Sequence, residues 1–357
     1  MKKVLSRLGL AGLVLGLALP WGAGRPTTAQ QDDLTTVRVG LVPVLVYSSL
    51  FVAEARGYFA EEGLQIETLP LAGGSEPLAP LARGELDVAL GGSGAGLFNY
   101  AARNLDTTGD ANFRIVAGMH SERPPLSSPL VVSAERFESG EITSVEDLRG
   151  GRVAINAAGA ATEYWLVKAL EQGGLTPADV EIVAVAFPDV PAALNSEAND
   201  RIDAAILGEP IAAAAEAQGL IARLSTDFLE DFQPTYVYMG NEFLEENRET
   251  AQAFLRAMVR AYRDLQDPAT WREPEIVAYL SEVTIGYSEE LLDFYAFPFH
   301  EPDGTVRLQD MEILQQYFLD KGDLTYDEAL DLDLLVDTSL LDEVIEELGP
   351  YEAETDN

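Results

Sequence analysis

The stretch "DVALGGSGAGLFNYAA", residues 87–102, reads as a short apolar strand, a glycine-rich turn and an apolar helix. A turn of this kind brings the unpaired N–H groups of a helix start toward whatever sits beyond the strand. The dinucleotide fingerprint needs G-x-G-x-x-G/A. Counted from Gly92, Leu97 stands where the last glycine belongs, and counted from Gly94, Asn99 does. No G-K-[ST] follows, so the phosphate-loop pattern is missing as well. What remains is a tight βα turn with small residues and the Ser93 hydroxyl. It is either a cradle for a small ligand with an acceptor atom, formed by Ser93, Gly94 and Ala95, or a turn with no ligand at all.

The same unit sits inside a longer alternation. "TTVRVGLVPVL" (35–45), "LQIETLPL" (64–71), "LDVALGG" (86–92) and "FRIVAGM" (113–119) read as strands with short helices between them, which predicts a parallel α/β layer. After the proline-rich break "ERPPLSSP" (122–129) the pattern restarts with "RVAIN", "VEIVAVAF" and "DAAILG" as strands. "SVEDLRG" carries Ser144 three residues before Asp147, close to a capping box. One echo links the halves. "LAPLARGELDVALGGSG" and "AALNSEANDRIDAAILGEP" share a plan of helix, turn, strand and glycine-containing turn, with Asp87 and Asp203 in matching places. Two lobes on one plan would explain it, and so would the general likeness of βα units. From about residue 249 onward the chain is mainly amphipathic helix, read as packing without chemistry.

The chain has 357 residues, a length that suggests two domains. Lys2, Lys3 and Arg7 precede an uncharged apolar stretch (8–24) and the small residues Thr27, Thr28 and Ala29. That order is a secretory signal peptide, residues 1–29, with a membrane anchor as the alternative. Cysteine is absent, which excludes disulfides, thiolate metal sites, cysteine nucleophiles and a lipid-anchoring cysteine. Net charge is −37; the leader holds four of the positive charges and no negative one, so removing it leaves −41. Such a chain repels nucleic acid and anionic lipid. Beyond the leader only Lys168 and Lys321 remain, and heavy acid with scarce lysine points to saline surroundings.

Three further features are candidates for a site. "NAAGAATEYW" (156–165) repeats the strand, small-residue turn and helix start, with Thr162 in its first turn. Glu209 in "LGEP" stands at the carboxyl end of a strand, either as a ligand contact or as a solvated charge. His120 in "GMHSERPP" is placed near a cleft, whereas His300 in "FPFHEPDG" reads as an exposed turn residue. With two histidines in all, histidine metal sites and triads have little material, and no metal or cofactor is expected.

"GYFAEEGLQIE" (57–67), "LARGELDVALGG", "VEDLRGGRVAINAAGAATEYWLVKALEQGGL", "RIDAAILGEP" and the tail "DGTVRLQDMEILQQYFLDKG" occur in this order. Together they resemble periplasmic solute-binding proteins of nitrate/sulfonate/taurine-type ABC importers, a superfamily that includes binders of thiamine-pyrimidine precursors. The resemblance runs from about residue 37 to 349. It implies a type II periplasmic-binding-protein fold, two α/β lobes with a ligand cleft between them and a helical C-terminal segment. Lobe 1 would be residues 35–127 plus 237–350, lobe 2 residues 128–236, and 351–357 an acidic tail. Crossovers would lie near 127–130 and 233–238.

By position, the resemblance implies ligand contacts from Tyr47, Ser48 and Ser49, from Gly74 and Ser75, and from Ser93, Gly94 and Ala95. On the opposite jaw it implies Ala158, Gly159, Ala160 and Thr162, then Phe187, Asp189, Glu209 and Tyr236. The implied partners are a small solute and a membrane-embedded ABC permease, with the binding protein a periplasmic monomer. No lysine is expected near these loops, and His120 with Arg123 are the basic groups within reach. An organic sulfonate on helix N-termini and an aromatic heterocycle among the aromatic side chains both remain open. An enzyme on the same fold is the alternative, although the related synthases use a cysteine-rich iron site that this chain lacks. A ligand-sensing module for a membrane receptor is the third reading.

Overall fold

The computed structural model describes residues 34–71 and 77–353. The leader, Gly74, Ser75 and the last four residues lie outside the described residues. Twelve strands follow in chain order: β1 Thr35–Leu41, β2 Leu64–Pro70, β3 Val88–Gly92, β4 Phe113–Gly118, β5 His120–Ser121, β6 Leu130–Ser133, β7 Arg152–Ile155, β8 Glu181–Ala184, β9 Ala204–Ile206, β10 Ile221–Ser225, β11 Thr235–Gly240 and β12 Phe299–His300.

They form two five-stranded sheets and one small ladder. The first sheet runs β2-β1-β3-β11-β4, the second β8-β7-β9-β6-β10, and β5 pairs with β12. The strand alternation predicts parallel layers, and in each sheet one strand departs from that. β11 is antiparallel to both β3 and β4, and β6 is antiparallel to both β9 and β10. Each of these two strands is the first the chain makes after crossing from the other sheet. Local alternation cannot reveal such a strand, because its partners are set by the crossover rather than by an adjacent βα unit.

The echo between the halves is atomic. Val39 is opposite Val88 across β1 and β3, as Val153 is opposite Ala204 across β7 and β9. One residue earlier, Asp87 accepts the Arg38 N–H at 2.8 Å and returns its own N–H to the Arg38 carbonyl at 3.0 Å. Asp203 does the same with Arg152, at 2.7 Å in both directions. The carboxylate in the apolar-Asp-small-Ala pattern thus closes off the neighbouring strand where its ladder ends, and an unpaired N–H there would be costly. The Ser144–Asp147 capping box forms as its spacing predicts.

Strands β3, β6, β9 and β11 are almost wholly buried, because helices cover both faces of each sheet. Helices Ser48–Ala55, Arg248–Asp264, Pro274–Val283 and Ser339–Leu348 pack in one core with β1. Helices Ala95–Thr108 and Leu308–Lys321 join a second core, which also holds Trp165 and Leu166 of helix Ala161–Gln172, and a third, around Val131, Ala154 and Ala205, lies on the second sheet. That second core therefore runs from one sheet to the other. Among the described residues, no helix is long and apolar enough to cross a membrane.

Candidate functional site

The two glycine-rich turns quoted above meet. The Ala95 N–H, first in helix Ala95–Thr108, donates to the Gly159 carbonyl at 2.9 Å. Gly94 is extended, and a Cβ there would lie 2.6 Å from the same carbonyl oxygen, so only glycine permits the approach. Ser93 is buried, its N–H and hydroxyl both donating to the Pro234 carbonyl, at 2.8 and 3.2 Å. The Ser93 and Ala95 donors of the first turn are thus engaged by the chain itself.

On the facing turn, Ala158 is exposed while Gly159, Ala160 and Thr162 are half-buried. The Thr162 hydroxyl donates to Asn156 at 2.5 Å. Gly159 has φ +73°, a backbone conformation that favours glycine. Its N–H donates to Glu163 at 3.0 Å. Glu163 is 3% exposed and pairs with the Lys321 ammonium at 2.5 Å. The expectation that no lysine lies near these loops is therefore corrected. Lys321 sits far along the sequence, at the end of helix Leu308–Lys321, and reaches the loop only through the packing of that helix beside Tyr164 (Tyr164–Tyr317, 5.5 Å).

Glu209 is neither solvated nor open to a ligand in this arrangement. Its carboxylate is fully buried, pairs with Arg223 at 2.7 Å, and accepts the N–H groups of Ala213 and Ala296 at 3.0 and 3.2 Å. Burial lifts its carboxyl above the ordinary value, against the pull of Arg223 and the two amides. Arg223 also holds Glu216 and the Phe294 carbonyl. Glu209 thus anchors the segment around residue 296 against the second sheet. Tyr236 is likewise an internal residue, buried on β11 with its hydroxyl donating to the Gln233 carbonyl at 2.8 Å. Phe187 is half-buried beside Gly208, and Asp189 is exposed ahead of helix Val190–Leu194.

The remaining candidates gather around the β5–β12 ladder, where the chain leaves the first sheet. Tyr47 is buried, and the hydroxyls of Ser48 and Ser49 are fully buried with no hydrogen-bond partner among the described residues. His120 is 2% exposed; its Nδ1 lies 2.6 Å from the Thr235 hydroxyl, while Nε2 has no hydrogen bond and faces Glu122 at 3.7 Å. Burial pushes the Glu122 carboxyl up, yet the facing His120 ring and the Ser128 and Ser127 donors outweigh it and hold it below its ordinary value. His300, read from sequence as exposed, is 1% exposed and directly opposite His120. Burial, with His120 alongside, pushes its pKa down to about 3.

Sequence reasoning missed Glu122, Glu163 and His300. The alternation of "FPFHE" held a usable signal for His300, since Phe299 and His300 point to opposite sides of a strand.

A surface pocket of about 240 Å³ lies elsewhere, lined by Arg38, Asp87, Asn112, Asn241 and Glu242 among others. It is at the opposite ends of β1 and β3 from the two turns, whereas open α/β sheets bind ligands beyond their carboxyl ends. Arg38 and Asp87 there are already paired at 2.6 Å. Among the described residues, no group of three or more histidines and carboxylates is placed to hold a metal ion.

Two sheets on one plan, each with its returning antiparallel strand, are thus joined through opposed turns. The sequence profile of the NMT1-like family matches residues 30–278. The chain belongs to that family. A Brachyspira hyodysenteriae protein provisionally named an ABC transporter periplasmic binding protein is 23% identical, over 96% of this chain and 99% of its own. The taurine-binding periplasmic protein of Escherichia coli is 27% identical over 65% of this chain and 68% of its own. Among solved structures, the periplasmic nitrate-binding protein NrtA of Synechocystis PCC 6803 superposes with a TM-score of 0.67 at 17% identity, covering 89% of this NMT1-like chain and 90% of its own. A desulfurization enzyme, DSZB, shares the fold at a TM-score of 0.59 and 17% identity, covering 88% and 99%. The fold is thus the periplasmic-binding-protein fold, and the relatives that carry it are chiefly solute-binding proteins.

Proposed function

We propose that this chain is the extracytoplasmic solute-binding component of an ABC importer. It closes its two lobes on a small uncharged organic solute, a nitrogen heterocycle of pyrimidine or flavin type, and delivers it to a membrane permease. Ligand contacts come from Tyr47, Ser48, Ser49, His120 and the turns at Ser93–Ala95 and 158–162, with the lobes divided near residues 127 and 236.

The observation that carries the choice of solute is the state of the cations around the cleft. Arg123 is paired with Asp231, Arg223 with Glu209 and Glu216, Arg307 with Asp231, Glu301 and Asp310, and Lys321 with Glu163 and Asp323. Each is already committed, and buried Glu122 adds negative charge beside His120. An anion entering here would meet carboxylates without a spare cation to offset its desolvation. A neutral ring avoids that cost and offers hydrogen-bonding edges to the buried hydroxyls and imidazole.

A thermal-shift screen of the mature chain against pyrimidines, lumiflavin, taurine, alkanesulfonates and nitrate tests the reading, because a ligand bound only by the folded state raises Tm with concentration. Stabilisation by rings supports it, and stabilisation by anions alone contradicts it. Consumption of the stabilising compound would favour the enzymatic use of this fold instead.

A further inference from the structure

Both histidines of this 357-residue chain lie on one face of one ladder. Residues directly opposite on antiparallel strands point to the same side, with Cβ atoms about 4.5–5.5 Å apart. His120 and His300 are such a pair, and Glu122, two residues on from His120, shares their face. The other face is a separate cluster: Arg123 stacks over Phe299 at 3.4 Å, and Ser121 donates to Glu301 at 2.6 Å.

The histidine face is well buried yet incompletely bonded. No well-formed hydrogen bond reaches either ring nitrogen of His300, which the Val46 and Pro298 carbonyls only approach; Nε2 of His120 has only Glu122, at 3.7 Å, and the hydroxyls of Ser48 and Ser49 have no partner among the described residues. The carbonyls of Val46 and Pro298 face the His300 ring, so the turn that leads into Ser48 and Ser49 lies against it. The ring is stacked 6.1 Å from Tyr262 and tilted 6.2 Å from Trp271. A phenylalanine would fill such an aromatic nest without burying two polar nitrogens, and an unmet buried polar group is costly. Buried polar groups of native proteins have partners, and under-bonded groups on this ladder and on the helix that follows Val46 invite a common one.

We propose that His300 is a ligand-binding residue, and that with His120, Ser48 and Ser49 it forms a subsite for the hydrogen-bonding edge of an uncharged nitrogen heterocycle. The inference rests on the cleft reading above and adds a residue and a binding mode to it. The His300 imidazole, kept neutral by its burial, supplies one donor and one acceptor, and each serine hydroxyl supplies either. That set matches an edge with adjacent N–H and carbonyl groups, as in uracil or the pyrimidinedione ring of lumiflavin.

The chain has only two imidazoles, so histidine-labelled protein gives two assignable ring spectra. Wild type is titrated with uracil, lumiflavin, taurine and nitrate, followed by calorimetry on the best-bound probe with His300→Phe and His300→Asn. We expect a neutral ring to shift the His300 resonances. His300→Phe should weaken that probe at least tenfold without lowering the Tm of the unliganded protein, and His300→Asn should recover part of the loss. A neutral ring that binds with His300 resonances unmoved, or within twofold as tightly to His300→Phe, overturns the inference and leaves the cleft reading standing. Binding of taurine or nitrate alone, or of none of the four, overturns both.

Discussion

Removing the Glu209 carboxylate should destabilise the molecule before it touches recognition. The side chain is fully buried and meets Arg223 at 2.7 Å, the Ala213 N–H at 3.0 Å and the Ala296 N–H at 3.2 Å. Breaking a buried ion pair by deleting one partner costs about 3–5 kcal/mol, because the other charge is left uncompensated. Here Arg223 keeps Glu216 at 2.7 Å and the Phe294 carbonyl at 2.9 Å, which moves the estimate toward the lower end. The two orphaned amides, at about 1–3 kcal/mol each and not additive, move it back. Glu209→Ala should therefore lose about 3–4 kcal/mol. Glu209→Gln keeps an oxygen for one amide and should lose about half as much. Urea unfolding at neutral pH and constant salt measures both, with solute affinity determined on the folded fraction. A loss below about 1 kcal/mol together with abolished binding would refute the reasoning, and would return Glu209 to the ligand.

Three other outcomes follow from the geometry. Gly94→Ala should place its Cβ 2.6 Å from the Gly159 carbonyl oxygen and force the turns apart; solute affinity should fall about tenfold and small-angle scattering should show a larger radius, with unfolding energy nearly unchanged. Lys321→Met leaves buried Glu163 held only by the Gly159 N–H, and Lys321 is itself 37% exposed. The cost should be about 1–2 kcal/mol, with a double-mutant cycle against Glu163→Gln giving a coupling that shrinks in high salt. The His300 pKa, at about 3 against an ordinary 6.5, makes the unfolded chain bind a proton that the folded chain refuses between those values. Stability from this group is present above pH 6.5 and lost as pH falls, so wild type should weaken relative to His300→Phe by up to about 1.4 kcal/mol per pH unit in that window. Urea titrations of the pair from pH 7 to pH 4 read the difference directly.

The parts of the fold written locally were legible in the sequence. The apolar-Asp-small-Ala pattern placed Asp87 and Asp203, and both carboxylates cap the neighbouring strand in the same way. The turns at Gly94 and Gly159 were found from their small residues, and they do touch. What escaped depends on long-range return of the chain. The antiparallel strands β6 and β11 take their places through crossovers, which no periodicity encodes. Lys321 meets Glu163, and Ala296 meets Glu209, across 158 and 87 residues of sequence respectively. His300 looked like a turn residue because "FPFHEPDG" is rich in turn formers, yet β12 is only two residues long and needs β5 to exist. Segments read as inert packing, such as helix Leu308–Lys321, supply a latch to the opposite turn.

Calorimetric titration of residues 30–357 with uracil and lumiflavin, side by side with taurine and nitrate at low and high salt, tests the central claim most directly. The account predicts saturable, weakly salt-dependent binding of a neutral ring at micromolar or lower concentration and none of either anion. Tight, salt-sensitive binding of taurine or nitrate without binding of the rings would contradict it.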